Sequence, residues 1–301
     1  MSVQILEMVK KLNLKLQAVE RQIARSKIGR IISRPFRYLI GQGVRRIGFP
    51  LFGWSRMKKI STIYSDSFFV ELPAGLDIYL WGCKTHDSEL RLTKYLIQHL
   101  KPGDVFIDVG AHFGFYSGLA STLVGHKGKI FAFEPTPKTF KVLKQNTKSS
   151  NSFIFNQAIG SKDGSITFYE HDQLHSEYNS TIQVSGLSSN EYIVDISRLD
   201  TFAERQNITP NIIKVDVEGA EYEVVKGLDG LYNQAKFHIV LEMFSKPEKN
   251  EQQLAAAKQL HSFGLEPYQI DQNGQLEKIK HLEAYLSDLE IESDNIVFKA
   301  S

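Results

Sequence analysis

The residues best placed to do chemistry are carboxylates. In the run Ile213-Lys214-Val215-Asp216-Val217-Glu218-Gly219-Ala220-Glu221, Lys214, Asp216 and Glu218 alternate by two. An extended strand puts such residues on one side. Glu242 comes from the end of the next apolar run, Phe237–Met243. Carboxylates converging on one mouth serve as a general base, as partners of a ligand's ammonium, or as oxygen ligands of a hard divalent cation. The plainer reading is structural: Asp216 pairs with Lys214, and Glu218 favours the N-terminus of the following helix. The sequence assigns no metal site.

A second constellation lies at Val105–Gly114, VFIDVGAHFG. A short apolar run enters Asp108, then Gly110 and Gly114, and helix-forming residues follow from Phe115 to Leu123. This predicts a buried parallel strand, a tight turn and a helix start, with backbone N–H groups facing a ligand. The two glycines are expected where a ligand approaches the backbone. Dinucleotide folds use G-x-G-x-x-G; here the spacing is Asp-x-Gly-x-x-x-Gly, with His112 at the second glycine's place. Twenty-six residues after Asp108, the strand Lys129–Phe133 ends in Glu134-Pro135. A carboxylate there accepts both hydroxyls of an unphosphorylated ribose. A ribose ligand without a pyrophosphate suggests S-adenosylmethionine, bound by Asp108, Gly110, Ala111, His112, Gly114 and Glu134. The competing reading is an αβ turn with a capping acid and no ligand.

These residues need a sheet to hold them. Strands alternate with helices from Val105 onward, predicting an α/β fold with a doubly wound, mostly parallel Rossmann-like sheet. Pro267–Ile270 and Ile296–Lys299 are expected to close it as an antiparallel pair. In such sheets ligands lie at the carboxyl ends of the strands, where Glu134, Asp216, Glu218 and Glu242 all fall. Upstream, Phe68–Leu72 and Leu76–Trp81 flank Pro73-Ala74-Gly75 and read as a β-hairpin. Residues 171–190 are polar and without a clear period, an expected insertion over the functional edge. Its His171 and His175 are candidate bases, although a solvated loop histidine is the commoner case.

Four segments resemble the FkbM-type S-adenosylmethionine-dependent methyltransferases: FIDVGAHFG (106–114), FAFEP (131–135), Gln157-Ala158-Ile159-Gly160, and IKVDVEGAE (213–221). Leu199-Asp200 and Leu241-Glu242 also fit. The likeness covers about residues 66–300. The Lys-x-Asp-x-Glu-Gly-Ala-Glu run is its most specific part, and the family's usual loop carries Asn where this chain has His112. The resemblance implies S-adenosylmethionine as cofactor, with Gln157, Ala158 and Asp216 joining its binding residues. It also implies O-methylation, often of a sugar or polyketide hydroxyl, with Asp216, Glu218 and Glu242 as candidate catalytic groups.

The 301 residues include 42% hydrophobic residues, 19 Phe and 12 Tyr, enough for one large domain with an appendage or for two small domains. The single Cys83 excludes an internal disulfide and a cysteine zinc site. No apolar run is long enough to span a bilayer, and no signal-peptide core follows the N-terminus. A cytoplasmic protein is expected, peripheral at the membrane's inner face. The net charge of +2 hides an asymmetry. Residues 1–60 carry fourteen Lys or Arg against Glu7 and Glu20, so residues 61–301 are net acidic. The chain is therefore expected to divide into a basic helical arm, 1–60, and a methyltransferase domain, 61–301.

A basic arm asks for an anionic partner, a membrane surface or a nucleic acid. Ile5, Val9, Leu12, Leu16, Val19 and Ile23 are spaced 4, 3, 4, 3, 4, a short heptad seam that would pair two subunits or pack on its own domain. Pro35, Gly41 and Gly43 are expected to interrupt helix in the segment that follows. The leading function is O-methylation of a sugar, glycan or lipid-linked saccharide. The alternatives are a nucleic-acid methyltransferase, opposed by the acidic body, and a non-catalytic scaffold that binds S-adenosylmethionine.

Overall fold

The computed structural model describes residues 3–170, 190–217, 219–232, 237–247 and 250–301. The chain divides into two compact units after His86, and residues 61–86 lie with the N-terminal one.

The N-terminal unit begins with α1 (Val3–Ile23), α2 (Lys27–Ser33) and α3 (Pro35–Gly43). A π-helical turn at Val44–Gly48 leads into α4 (Phe49–Phe52), then β1 (Arg56–Ile60), β2 (Phe68–Leu72) and α5 (Leu76–Trp81). On α1, Leu12, Leu16 and Val19 of the heptad seam are buried within the single chain. Pro35 ends one helix and starts the next, as its fixed φ and missing N–H allow. Gly41 and Gly43 do not interrupt α3. A Cβ on Gly41 would stand 2.5 Å from Leu76 Cδ1, so this glycine lets α3 pack closely on α5.

The expected hairpin over Phe68–Trp81 is corrected. β2 pairs antiparallel with β1, Ile60 facing Phe68 and Arg56 facing Leu72. Leu76–Trp81 is helical. Its run is buried at Leu76 and Ile78–Trp81 without alternation, and a short, wholly buried apolar run reads the same as strand or helix. Local chemistry decides for the helix: Asp77 accepts its neighbour's N–H at 2.7 Å, and Gly82 closes the C-terminus at φ +73°.

The second unit starts with α6 (Asp87–His99), β3 (Val105–Val109), α7 (Phe115–Val124), β4 (Lys129–Phe133), α8 (Pro137–Asn146), β5 (Ser152–Phe155), β6 (Gln157–Ile159) and β7 (Gly164–Glu170). It continues with β8 (Asn190–Ser197), α9 (Leu199–Gln206), β9 (Ile212–Val215), α10 (Glu221–Lys226), β10 (His238–Phe244) and α11 (Glu251–Ser262). β11 (Leu265–Ile270), β12 (Leu276–Lys278), α12 (Leu282–Ser287) and β13 (Ser293–Ala300) complete it.

Eight strands form the main sheet in the order β12-β11-β13-β10-β9-β3-β4-β5. The five from β10 to β5 run parallel. β13 lies antiparallel between β10 and β11, so the expected closing pair is present, with β12 added at the edge. β3 and β9 are buried almost throughout, the mark of parallel strands covered on both faces. From β3 the chain winds outward through β4 and β5, then returns to β9 on β3's other side. The gap between β3 and β9 is therefore the switch point where such sheets bind ligands. β6, β8 and β7 form a separate small sheet.

α6 is fastened to the antiparallel edge. Buried Arg91 pairs with Asp294 at 3.0 Å and donates to the Ile270 carbonyl at 2.6 Å; Tyr285 donates to Asp294 at 2.6 Å. A buried ion pair with its remaining donors satisfied specifies one register rather than adding much net stability. The insertion expected at 171–190, with His171 and His175, lies outside the described residues up to position 189.

Candidate active site

Backbone contacts join the ends of three parallel strands. The N–H of Asp216, just past β9, donates to the Val109 carbonyl on β3 at 3.0 Å. The N–H groups of Gly110 and Ala111 both donate to the Phe133 carbonyl on β4, each at 3.0 Å. The loop from Gly110 to Gly114 is thereby fixed at the switch point, with Gly110, His112 and Gly114 in the left-handed region. His112 at φ +50° is uncommon for a residue with a side chain.

Both glycines are also required by the packing of the protein itself. A Cβ on Gly110 would lie 1.8 Å from the Asp216 carbonyl oxygen. A Cβ on Gly114 would meet Leu143 Cδ1 of α8 at 2.6 Å. Ala111 is buried beside Leu143 and Ala132, and Asn146 donates to the Phe113 carbonyl at 2.8 Å.

Glu134 sits where the sequence put it, at the end of β4. Its Oε2 accepts the His112 N–H and its Oε1 the Thr136 N–H, each at 2.9 Å. The Thr136 hydroxyl is a third partner, and a carboxylate offers about four lone-pair sites, so acceptor capacity remains for a ribose hydroxyl. The side chain is buried, and that desolvation pushes its pKa up to about 7 against the lowering effect of the Thr136 N–H and hydroxyl and the His112 N–H. Asn156, which sequence reading passed over, donates to the carbonyls of Glu134 and Pro135, each at 2.9 Å.

Beside this loop lies a chain of charges. Buried Lys214 places its ammonium 2.9 Å from Asp216 Oδ2 and 3.9 Å from Asp108 Oδ1, and 5.3 Å from the centre of the Tyr116 ring. Asp108 also accepts from the Ser117 hydroxyl at 2.6 Å, which fixes it as a buried strut between β3 and α7. Asp216 also interacts with the Glu242 carboxyl. Glu242 accepts the Ser293 hydroxyl at 2.6 Å. Burial first, and Asp216 second, push the Glu242 pKa well above the carboxylate range. The structural pairing of Asp216 with Lys214 and its place in the acidic mouth are thus both present.

Glu218 lies outside the described residues. The helix-start role considered for it is filled by Glu221, the first residue of α10, whose two oxygens accept the Gly219 N–H at 3.1 and 3.2 Å. Glu221 is buried, and desolvation raises its pKa to about 7. The signal for Glu221 in the sequence is its place directly after Gly-Ala, in the first turn of a helix. Ser293 carried no local signal, since it reaches the site from β13. Gln157 and Ala158 are on β6, outside the main sheet, with Ala158 buried beside Phe168, Val194 and Ile196. Among the described residues no group of three or more His, Cys, Asp or Glu is arranged to hold a metal ion.

The donor set fits S-adenosylmethionine by its chemistry. Asp216 and Asp108 lie 2.9 and 3.9 Å from buried Lys214, Glu134 feels the charge of Asp108, Glu221 and Glu242 feel that of Asp216, and burial holds these three glutamates toward protonation. A ligand that brings positive charge and two adjacent hydroxyls relieves that excess.

Comparison with known proteins agrees with this reading. Hexuronic acid methyltransferase AglP of Haloferax volcanii is 31% identical over 163 residues, covering 54% of this chain and 65% of its own. Methyltransferase 1 of Beauveria bassiana is 32% identical, covering 47% of this chain and 66% of its own. The chain thus spans just under two thirds of either relative. Among solved structures, a methyltransferase FkbM from Methylobacillus flagellatus is similar at TM-score 0.40 and 12% identity, over 75% of this chain and 52% of that one. Fibrillarin from Aeropyrum pernix, with natively bound S-adenosyl-L-methionine, is similar at TM-score 0.41 and 14% identity, over 70% and 74%. The profile of the methyltransferase FkbM domain matches residues 108–290, from the buried aspartate of β3 to the edge of β13, and the chain belongs to that S-adenosylmethionine-dependent family.

Proposed function

We propose that this protein transfers a methyl group from S-adenosylmethionine to a hydroxyl of a saccharide, free, within a glycan or lipid-linked. The observation that carries the reading is the Asp216–Glu242 pair at the carboxyl ends of adjacent strands, beside the loop that Glu134 braces. The hexuronic acid substrate in the name of the archaeal relative supports a sugar acceptor.

Bound S-adenosylmethionine supplies a methyl group already activated on a cationic sulfur. The chain has to align the acceptor oxygen with it and remove one proton. Glu134 accepts a ribose hydroxyl, and the His112 N–H holds Glu134 in place. Asp216 takes the acceptor's proton as the oxygen–carbon bond forms. Lys214 fixes Asp216 from behind at 2.9 Å, so the base is oriented before substrate arrives. Glu242, pushed toward its protonated form by burial, stands beside Asp216 as a hydrogen-bond partner for the acceptor, with the Ser293 hydroxyl holding its carboxyl. Transfer leaves a methyl ether on the sugar, a neutral sulfur on the spent cofactor and a proton on Asp216.

The test is methyl transfer from labelled cofactor to hexuronate-containing saccharides, to neutral hexoses and to RNA. Alkali-stable label on a saccharide is the expected result. Label lost in mild alkali is a methyl ester, and would move the acceptor atom from hydroxyl to carboxylate. Label on RNA alone overturns the saccharide reading. Cofactor binding without transfer to any acceptor makes the protein a scaffold.

A further inference from the structure

The N-terminal unit turns an amphipathic segment inside out. α3 and its N-cap Arg34 send basic and small residues toward their own unit. Arg37 donates to the Tyr79 carbonyl at 2.9 Å, and Arg34 donates to the Leu80 carbonyl. The guanidinium carbons lie 5.7 Å from the Tyr79 ring centre and 5.3 Å from that of Trp81. Gly41 closes against Leu76. Two cations thus cap the carbonyl end of α5.

The opposite face of α3 is apolar and bare. Phe36 is 78% exposed and Leu39 74%, with Ile32 before them and Ile40 beside them. The exposure continues through Leu51, Phe52 and Trp54. Phe52 stacks on Trp54 at 4.8 Å between ring centres. Scattered exposed apolar residues need no explanation, but a run of this density does.

Charge says what covers it. From Arg21 to Ser65 the chain has eleven Lys or Arg and no Asp or Glu. Exposed Arg25, Lys27, Arg45, Arg46, Arg56 and Lys59 bracket the apolar residues. A second copy of this surface would meet like charge with like. Nucleic acid rewards the cations and the aromatic rings but gains nothing from exposed Ile28, Ile32, Leu39 and Leu51. An anionic bilayer takes all three: acyl chains for the aliphatic side chains, the headgroup layer for Trp54, and lipid phosphates for the cations. Among the described residues no helix is long and apolar enough to cross a membrane.

We infer that residues 27–59 form an interfacial dock that lies on an anionic lipid surface, with Ile32, Phe36, Leu39, Leu51 and Phe52 inserted below the headgroups. This inference does not depend on the methyltransferase reading. Its test uses the full chain with vesicles of phosphatidylcholine and phosphatidylglycerol, and with phosphatidylcholine alone. The protein should float with the anionic vesicles, and Trp54 emission should shift to shorter wavelength. Trp81, the other tryptophan, is buried, so a Trp54→Phe variant should float without the shift. Phe36→Glu with Leu39→Glu changes two exposed positions and should lower partitioning more than about tenfold while S-adenosylmethionine binding is unchanged. Absence of flotation by folded wild type at low salt overturns the dock. So does equal flotation of the double variant, which would reduce the interaction to charge alone. A shift of RNA without flotation, or a dimer that the double variant abolishes without flotation, assigns the surface to those partners instead.

Discussion

Asp216 and Glu242 interact from neighbouring strands, each one residue beyond the paired positions Val215 and Leu241. Lys214 holds the first at 2.9 Å and Ser293 the second at 2.6 Å, so the two acids are not equivalent. Asp216 faces a cation and Glu242 a hydroxyl donor in a desolvated place. Asp216→Asn should therefore lower turnover by roughly 10²–10⁴-fold, as for loss of a general base. Glu242→Gln keeps the shape of a carboxyl that burial already pushes toward its neutral form, and should lose less. Turnover with a verified saccharide acceptor, beside an unchanged melting temperature, checks both. An Asp216→Asn enzyme with full activity would reduce that residue to a partner of Lys214.

The buried acids set a pH dependence of stability. Burial raises Glu134 and Glu221 from an ordinary 4.5 to about 7. An acid whose folded pKa is raised contributes stability that is present below the unfolded pKa and is lost as pH rises through the folded one. At about 1.4 kcal/mol per pH unit, each acid costs the ligand-free fold on the order of 3 kcal/mol above that window. The ligand-free melting temperature should fall between about pH 5 and pH 8, and Glu221→Gln should flatten that slope. Thermal unfolding across this range is the measurement. A melting temperature that climbs through the window would show both carboxylates to be better solvated than their burial implies.

Gly110→Ala tests the join between the cofactor loop and β9. The new Cβ would fall 1.8 Å from the Asp216 carbonyl, at φ +79°, where an L side chain is strained even with room. The left-handed backbone alone costs about 1–2 kcal/mol, and the clash must also push Asp216 away. The variant should melt several degrees lower and bind S-adenosylmethionine poorly. Gly219→Ala is the control: its backbone is also left-handed, but a Cβ there meets nothing within 4 Å. If the two variants behave alike, the contact with Asp216 carries no weight.

Much of this was legible in local pattern. The apolar run of β3 with Asp108 and Gly110, the Glu134 after β4 and the Asp216 after β9 are each set within a few residues, and the strand-helix alternation gives the sheet. What sequence hid depends on distance along the chain or on burial. Leu143 of α8 lies 2.6 Å from where a Gly114 Cβ would stand, a packing demand that no local pattern announces. Glu242 looked like one of three free carboxylates until Ser293 arrived from β13. Leu76–Trp81 carried too little period for its all-round burial to be told from a strand, and β1 was hidden in the arm because Arg56, Lys58 and Lys59 mask its alternation.

The last prediction links cofactor binding to protons. Three acids at the switch point are held toward protonation by burial, and S-adenosylmethionine brings a sulfonium and an ammonium among them. A nearby cation favours the charged carboxylate, so these pKa values fall on binding and protons leave at neutral pH. Calorimetry in two buffers of different ionisation enthalpy reads that release directly: the apparent binding enthalpy should differ between them in proportion. The demethylated product keeps the ammonium but has a neutral sulfur, and should release fewer protons. Glu134→Ala removes the ribose acceptor and should weaken binding by about 1.5–3 kcal/mol, the worth of charge-assisted hydrogen bonds. Because the variant also deletes a titrating acid, its proton release should fall with its affinity. A variant that binds weakly yet releases as many protons as wild type would place the coupling in Glu242 and Glu221, and leave Glu134 with the ribose alone.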